Sequence, residues 1–225
     1  MREQRQEEAA RAYLDESDGR SIIFACPRFG KIRSAIIVIE EIKAKNILIL
    51  APRKDIFKGW EDELTTCNAW PIGGTIDFVT FSSIKKLIRT NRDLIIIDEP
   101  HELSINQQKL LSPIVSTQKV LGLTGTMTQK TRYELYDNLN LDVCYKYTIA
   151  DGVREGILTD YEMFIHTVPL DNREFKYSSK KGQRYTEKGY FNMWQHIRSR
   201  ATMKHFIDMK LINIIQNSKA KMDKT

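Results

Sequence analysis

The sequence predicts an α/β protein built on an open, mainly parallel sheet flanked by helices. Three observations predict it. First, five short runs are nearly continuous in apolar residues: "SIIFAC" (21–26), "NILILA" (46–51), "TIDFVTF" (75–81), "DLIIID" (93–98) and "KVLGLT" (119–124). Such runs fit strands covered on both faces, the habit of parallel sheets. Second, helical patterns separate them, at 31–44, 55–65, 82–89, 104–111 and 130–139. Strand and helix then alternate in steps of roughly 20 to 30 residues, which reads as βαβ units. Third, the polar motifs all follow strand ends, where open α/β sheets gather their ligands.

The remainder of the chain reads differently. "YEMFIHTVPL" (161–170) is a candidate for one more strand, and 171–189 is polar, rich in Lys and Arg, and reads as exposed. Residues 190–221 carry apolar positions at helical spacing without Pro or Gly, which predicts one long helix or two shorter ones. Phe191, Met193 and Trp194 in that stretch read as core rather than as a base-stacking platform.

Composition sets limits. The 225 residues suffice for one sizeable domain, or one plus an appendage, and 41% hydrophobic content supports a packed core. Lys and Arg number 35 against 29 Asp and Glu, so a formal charge of +6 permits a polyanionic partner without requiring one. Cys26, Cys67 and Cys144 form no C-x-x-C pair, and the four histidines show no metal-ligand spacing. No run reaches membrane-spanning length, and the charged start "MREQRQEEAARAYL" is no signal peptide. A soluble, cytoplasmic monomer is the expectation.

The first strand runs into "ACPRFGKIRSA" (25–35). A Gly-Lys pair between strand and helix is the heart of a phosphate-binding loop. Backbone N–H groups and the helix N-terminus face the phosphates, and Lys31 reaches their outer oxygens. The match to G-x-x-x-x-G-K-[ST] is incomplete, because Ala25 replaces the first glycine and Ile32 the Mg²⁺-binding hydroxyl. The fourth strand ends in Asp98 and Glu99, adjacent carboxylates that repel unless something positive is held over them. Asp98 can hold Mg²⁺ and Glu99 can polarise a water attacking a γ-phosphate. The two motifs in one α/β chain are far more specific than either alone.

In order, the chain carries "ACPRFGKIR", "ILILAPRKDIFKGWEDEL", "IDFVTFSSI", "LIIIDEPHEL" and "LGLTGT". These resemble motifs I, Ia, Ib, II and III of the first RecA-like domain of superfamily 2 (DExH/DEAD-like) helicases, and "DGVREGILTDYEMFIHTV" is similar to the segment closing that domain in phage-type and restriction-type members. The resemblance implies a P-loop NTPase domain over 1–168, with ATP and Mg²⁺ as cofactors. Residues 169–225 would lead, through a helix at 203–217, toward a second RecA-like domain absent from this chain. Either a fragment or a natural single-domain relative fits.

The resemblance also implies roles. Pro27, Arg28, Phe29, Gly30, Lys31, Ile32 and Arg33 would bind nucleotide, with Gln6 reading adenine. Asp98 would hold the metal, and Lys31 and Glu99 would be catalytic. His101, Thr124, Gly125 and Thr126 would couple nucleotide state to nucleic-acid grip. Arg53, Lys54, Thr80 and Ser82 would face a nucleic-acid backbone. The implied activity is an ATP-dependent DNA helicase or translocase acting in replication, recombination or repair, on single-stranded or branched DNA in preference to RNA. The alternatives are a nucleotide- or DNA-binding module with little turnover because of Ile32, and an ATPase that needs no nucleic acid.

Overall fold

Apolar strands with a two-residue period can bury both faces, and these do. A computed structural model describes residues 1–87, 91–160, 170–178, 183–200 and 211. Two compact units are present, Met1–Asp160 and Tyr161–Thr225.

In the first unit, strands β1 (Arg20–Ala25), β2 (Asn46–Ala51), β3 (Thr75–Thr80), β4 (Leu94–Asp98), β5 (Val120–Thr124) and β6 (Asp142–Tyr147) form one sheet of order β3-β2-β4-β5-β1-β6. Every pairing in it is parallel. The helices are α1 (Arg2–Leu14), α2 (Lys31–Glu41), α3 (Asp55–Thr66), α4 (Ile105–Val115), α5 (Gln129–Leu139) and the short α6 (Ile149–Arg154).

Alternate residues of each strand feed opposite cores. Ile23, Ile47, Ile49, Ile96 and Leu123 pack with Ala9, Ala10, Tyr13, Val38 and Trp60 on one face. Ile22, Leu48, Leu50, Ile95 and Ile97 pack with Leu111, Val115, Leu135 and Leu139 on the other. Each fully buried aliphatic side chain is worth about 1.5–3 kcal/mol relative to exposure, so these two layers dominate the stability of the unit.

Three sequence expectations are revised. The run 82–89 is not an α-helix where it is described. Phe81–Lys86 is a 3₁₀ turn whose buried Phe81 and Ile84 stand three residues apart, the 3₁₀ repeat. A sixth strand, β6, pairs with β1 at the sheet edge and was not expected, because "DVCYKY" is only half covered and has no apolar run. Helix α1 is likewise additional: Gln6, Ala9, Ala10 and Tyr13 form a buried stripe of mostly small or polar residues. The candidate strand at 161–170 lies, apart from its last residue, outside the described residues. The helix expected at 203–217 does too, apart from the helical position 211.

In the second unit, β7 (Phe175–Ser178) and β8 (Arg184–Thr186) form an antiparallel ribbon followed by α7 (Glu187–Arg200). Tyr177 stacks on Tyr190 at 4.6 Å between centroids, and Trp194 meets Tyr190 edge-on, which makes Trp194 part of a packed aromatic cluster. The basic stretch is partly engaged in structure here. Lys176 pairs with the buried Glu187 at 3.1 Å, and Arg184 lies over the Phe175 ring. No helix among the described residues is long and apolar enough to cross a membrane.

Candidate functional site

The carboxyl ends of β1, β5 and β4 are neighbours in the sheet, so the segments that follow them share one edge. After β1 the chain turns through Cys26–Gly30 into α2, with Gly30 as N-cap at φ 89°. That left-handed conformation suits glycine, and an added Cβ would stand 2.2 Å from Gln6 Nε2. Arg28 is also left-handed, at φ 63°. The turn is held from outside by α1, as Gln6 Nε2 donates to the Phe29 carbonyl at 2.7 Å and Arg2 Nε donates to the same oxygen at 3.1 Å.

Lys31, first residue of α2, extends across this turn. Its Nζ lies 3.5 Å from the Ala25 carbonyl and 3.8 Å from Glu99 Oε1. Gly125 leaves room for it, since a Cβ there would stand 3.3 Å from Lys31 Nζ and 3.1 Å from the Ala25 oxygen.

Asp98 ends β4 and is only 7% exposed. Its Oδ2 accepts from Trp60 Nε1 at 2.9 Å. Burial pushes its carboxyl up to about 6; the indole hydrogen bond opposes the rise, the charge of Glu99 adds to it, and Lys31 opposes it. Glu99 follows in the left-handed region at φ 57°, a conformation that costs a non-glycine residue on the order of 1 kcal/mol or more and marks a turn imposed by its surroundings.

Three side chains, Glu99, Thr124 and His101, then close a ring of polar contacts, and the Thr126 hydroxyl attaches to it through His101. Thr124 Oγ1, at the end of β5, lies 2.8 Å from Glu99 Oε2 and 2.8 Å from His101 Nδ1. Thr126 Oγ1 lies 3.1 Å from His101 Nε2. Thr124 has one hydroxyl proton to give. The Thr126 carbonyl, also at 2.8 Å, competes with the carboxylate for it; with the hydroxyl donating to Glu99, His101 is satisfied as the Nδ1–H tautomer, donating to Thr124 and accepting from Thr126. His101 Nδ1 also stands 3.3 Å from Glu99 Oε2, so the ring holds the Glu99 carboxylate from one side while Lys31 faces the other.

Lys31, Asp98, Glu99, His101, Thr124, Gly125 and Thr126 are therefore brought together. Pro27 and Arg28 are exposed on the turn, while the Phe29 ring is buried against Tyr145 and Tyr147, leaving its backbone as the part nearest the turn. Arg33 donates to Cys67 Sγ and lines a cavity of about 370 Å³ with Gln6, Ile36, Ile37 and Glu40. Arg53 and Lys54 precede α3 at the end of β2, with Arg53 Nε 3.6 Å from Asp55. Thr80 ends β3, largely buried, its hydroxyl 2.9 Å from that of the exposed Ser82. These four share the carboxyl edge of the sheet on its β2–β3 side.

Ile32 packs with both the main core and the smaller cluster of Ile36, Leu64 and Ala69. We expect Ile32→Thr to cost about 1–2 kcal/mol through lost apolar volume and a poorly solvated hydroxyl. A lowered melting temperature with an unchanged magnesium dependence of ATP binding is the expected result. Tighter Mg²⁺–ATP binding would show instead that the position lies open to the metal.

Sequence comparison finds no matching family model and no matching curated protein. Structural comparison does find neighbours. The UvsW helicase of bacteriophage T4 superposes with a TM-score of 0.51 at 14% identity, over 61% of this chain and 57% of that one. The fold is RecA-like. A hypothetical ATP-dependent RNA helicase of Sulfolobus tokodaii aligns with a TM-score of 0.45 at 15% identity, over 63% of this chain and 57% of the other. The chain thus spans just over half the length of each of these neighbours.

Trp60 is the residue that sequence reasoning placed only as part of a motif. An indole at helical spacing among apolar residues reads as core, and its hydrogen bond to Asp98 follows from strand order alone, which brings β2 beside β4.

Proposed function

We propose that the RecA-like unit is the ATP-binding motor domain of a superfamily 2 helicase or translocase, coupling ATP hydrolysis to movement on DNA. The observation that carries this reading is the convergence of Lys31, Asp98, Glu99, Thr124 and His101 on one edge of the parallel sheet.

The residues present fit Mg²⁺–ATP. The N-terminus of α2 and its backbone N–H groups suit phosphate, and Lys31 adds a cation within reach of the turn. Mg²⁺ takes one or two carboxylates plus substrate phosphates, and Asp98 supplies a buried carboxylate at that place. When bound, the ion neutralises charge on the phosphate oxygens. Glu99 accepts a proton from the attacking water, its carboxylate aimed by the Thr124 hydroxyl and His101. Arg53, Lys54, Thr80 and Ser82 contact the DNA backbone, and a second RecA-like domain supplies the arginine that nucleotide hydrolysis of this kind requires. Replication, recombination or repair on single-stranded or branched DNA is the setting of this reading, in the cytoplasm.

A second reading is favoured by one observation: Ile32, where a metal-binding hydroxyl is usual, is half-buried and packs against the core. On that reading the domain binds nucleotide or DNA and turns over little ATP.

Lys31→Ala separates both readings from a domain with no nucleotide site. Charge-assisted hydrogen bonds are worth about 1.5–3 kcal/mol, so ATP affinity should fall about 10- to 100-fold in equilibrium binding. Equal ATP binding by parent and variant would sink the assignment. DNA-stimulated ATP hydrolysis by the parent would then decide between motor and binding module.

A further inference from the structure

We propose that Trp60 is a positioning residue: its indole N–H fixes the Asp98 carboxylate for the cation and ties that carboxylate to the segment entering α3. The inference rests on the functional reading above.

Trp60 is fully buried, and its single donor is spent on Asp98 Oδ2 at 2.9 Å. A core tryptophan will satisfy its N–H on any available acceptor, commonly a backbone carbonyl. Here the acceptor is instead a buried carboxylate at the end of a central strand, the most costly charge to desolvate in the crevice. Lys31 Nζ is found 3.8 Å from the neighbouring Glu99. The indole therefore takes one oxygen of Asp98 and fixes the direction in which the other faces.

The topology makes this contact informative. Strands β2 and β4 pair in parallel, with Leu50 opposite Ile97, so the chain leaving β2 arrives beside the carboxyl end of β4. Pro52, Arg53 and Lys54 follow β2 at once, and Trp60 comes in the second turn of α3. At 1.5 Å per residue, Trp60 stands only about 8 Å along the axis from Asp55, the first residue of α3, which Arg53 and Lys54 directly precede. The residue before it faces α2, where a Cβ added to Gly59 would lie 3.9 Å from Ile32 Cδ1, and Leu64 of the same helix packs in one cluster with Ile36 and Ile32. Adjacent positions of one helix thus meet both α2 and the metal carboxylate. A shift of α3 on engaging a strand through Arg53 and Lys54 moves the Asp98 carboxylate with it.

Outer-shell hydrogen-bond partners of metal ligands typically contribute 10- to 100-fold to metal affinity. Trp60→Phe in the full chain keeps the ring and removes the donor. ADP affinity in EDTA should stay at the parent value, while the Mg²⁺ concentration that half-saturates the ADP complex should rise 10- to 100-fold. A residue that only fills the core would lower the melting temperature and leave the Mg²⁺ titration unchanged; that result overturns the proposal. Indole ¹⁵N resonances give a second measurement that needs no variant at position 60. The chain has three tryptophans, and Trp70→Phe and Trp194→Phe identify the Trp60 signal by elimination. That signal should shift on adding Mg²⁺ to the ADP complex and again on adding a single-stranded oligonucleotide. A Trp60 signal unmoved by saturating Mg²⁺ overturns the proposal. A parent chain that binds no ADP or ATP at all would instead overturn the functional reading on which it rests.

Discussion

Glu99→Gln should bind ATP at near the parent affinity while losing hydrolysis by about 10²- to 10⁴-fold, the usual contribution of a general base. The amide keeps the shape of the side chain and can still accept from the Thr124 hydroxyl that now lies 2.8 Å from Glu99 Oε2. It loses the negative charge that faces Lys31 at 3.8 Å and the basicity needed to take a proton from water. Single-turnover hydrolysis and equilibrium binding, measured on parent and variant with DNA and the proposed second RecA-like domain supplied, give the two numbers. Parallel loss of binding and turnover would mean that Glu99 is structural, a member of the ring with Thr124 and His101 and not the base. Unchanged turnover would move the chemistry to another carboxylate.

How far the sequence could foresee this site depends on what each residue's signal consists of. The strand that leads into the Lys31 turn and the two that end in Asp98 and Thr124 were legible because they are central, and a central parallel strand must be apolar throughout. Ile95, Ile96 and Ile97 have no solvent-facing side to mark with a polar residue. Edge strand β6 had no such constraint: Asp142 and Lys146 stand in water, and nothing in the run declares a strand. The support given by α1 was hidden for a different reason. Its buried stripe is Gln6, Ala9, Ala10 and Tyr13, so the helix docks through small side chains that carry little periodic hydrophobicity. The hydrogen bond from Gln6 to Phe29 requires the turn to be folded before it exists. Long-range pairs were legible only as coincidence of motifs. That Thr124 meets His101 and that Trp60 meets Asp98 follow from the order β2-β4-β5-β1, which local pattern does not encode.

Asp98→Asn should stabilise the metal-free protein at neutral and alkaline pH by about 2–3 kcal/mol while removing the carboxylate proposed to hold Mg²⁺. Burial raises the Asp98 carboxyl from the ordinary 3.8 to about 6, so the folded protein retains a proton that the unfolded chain has already released. Between pH 4 and pH 6 the folded state therefore binds more protons, and stability falls as pH rises through that window. Above pH 6 the full cost of holding a buried charge is present, at about 1.4 kcal/mol for each pH unit separating the two values. Below pH 4 both states are protonated and the cost vanishes. Asparagine carries no charge and can still accept from Trp60 through its Oδ1, so the indole hydrogen bond survives. Urea unfolding of parent and variant in EDTA should show a stability difference near zero at pH 4, growing to a plateau above pH 6. Adding Mg²⁺ with nucleotide should reverse the order, because the bound ion stabilises the parent alone by mass action. A difference independent of pH would show that the carboxylate is not held at a cost, and that the crevice is not built to wait for a cation.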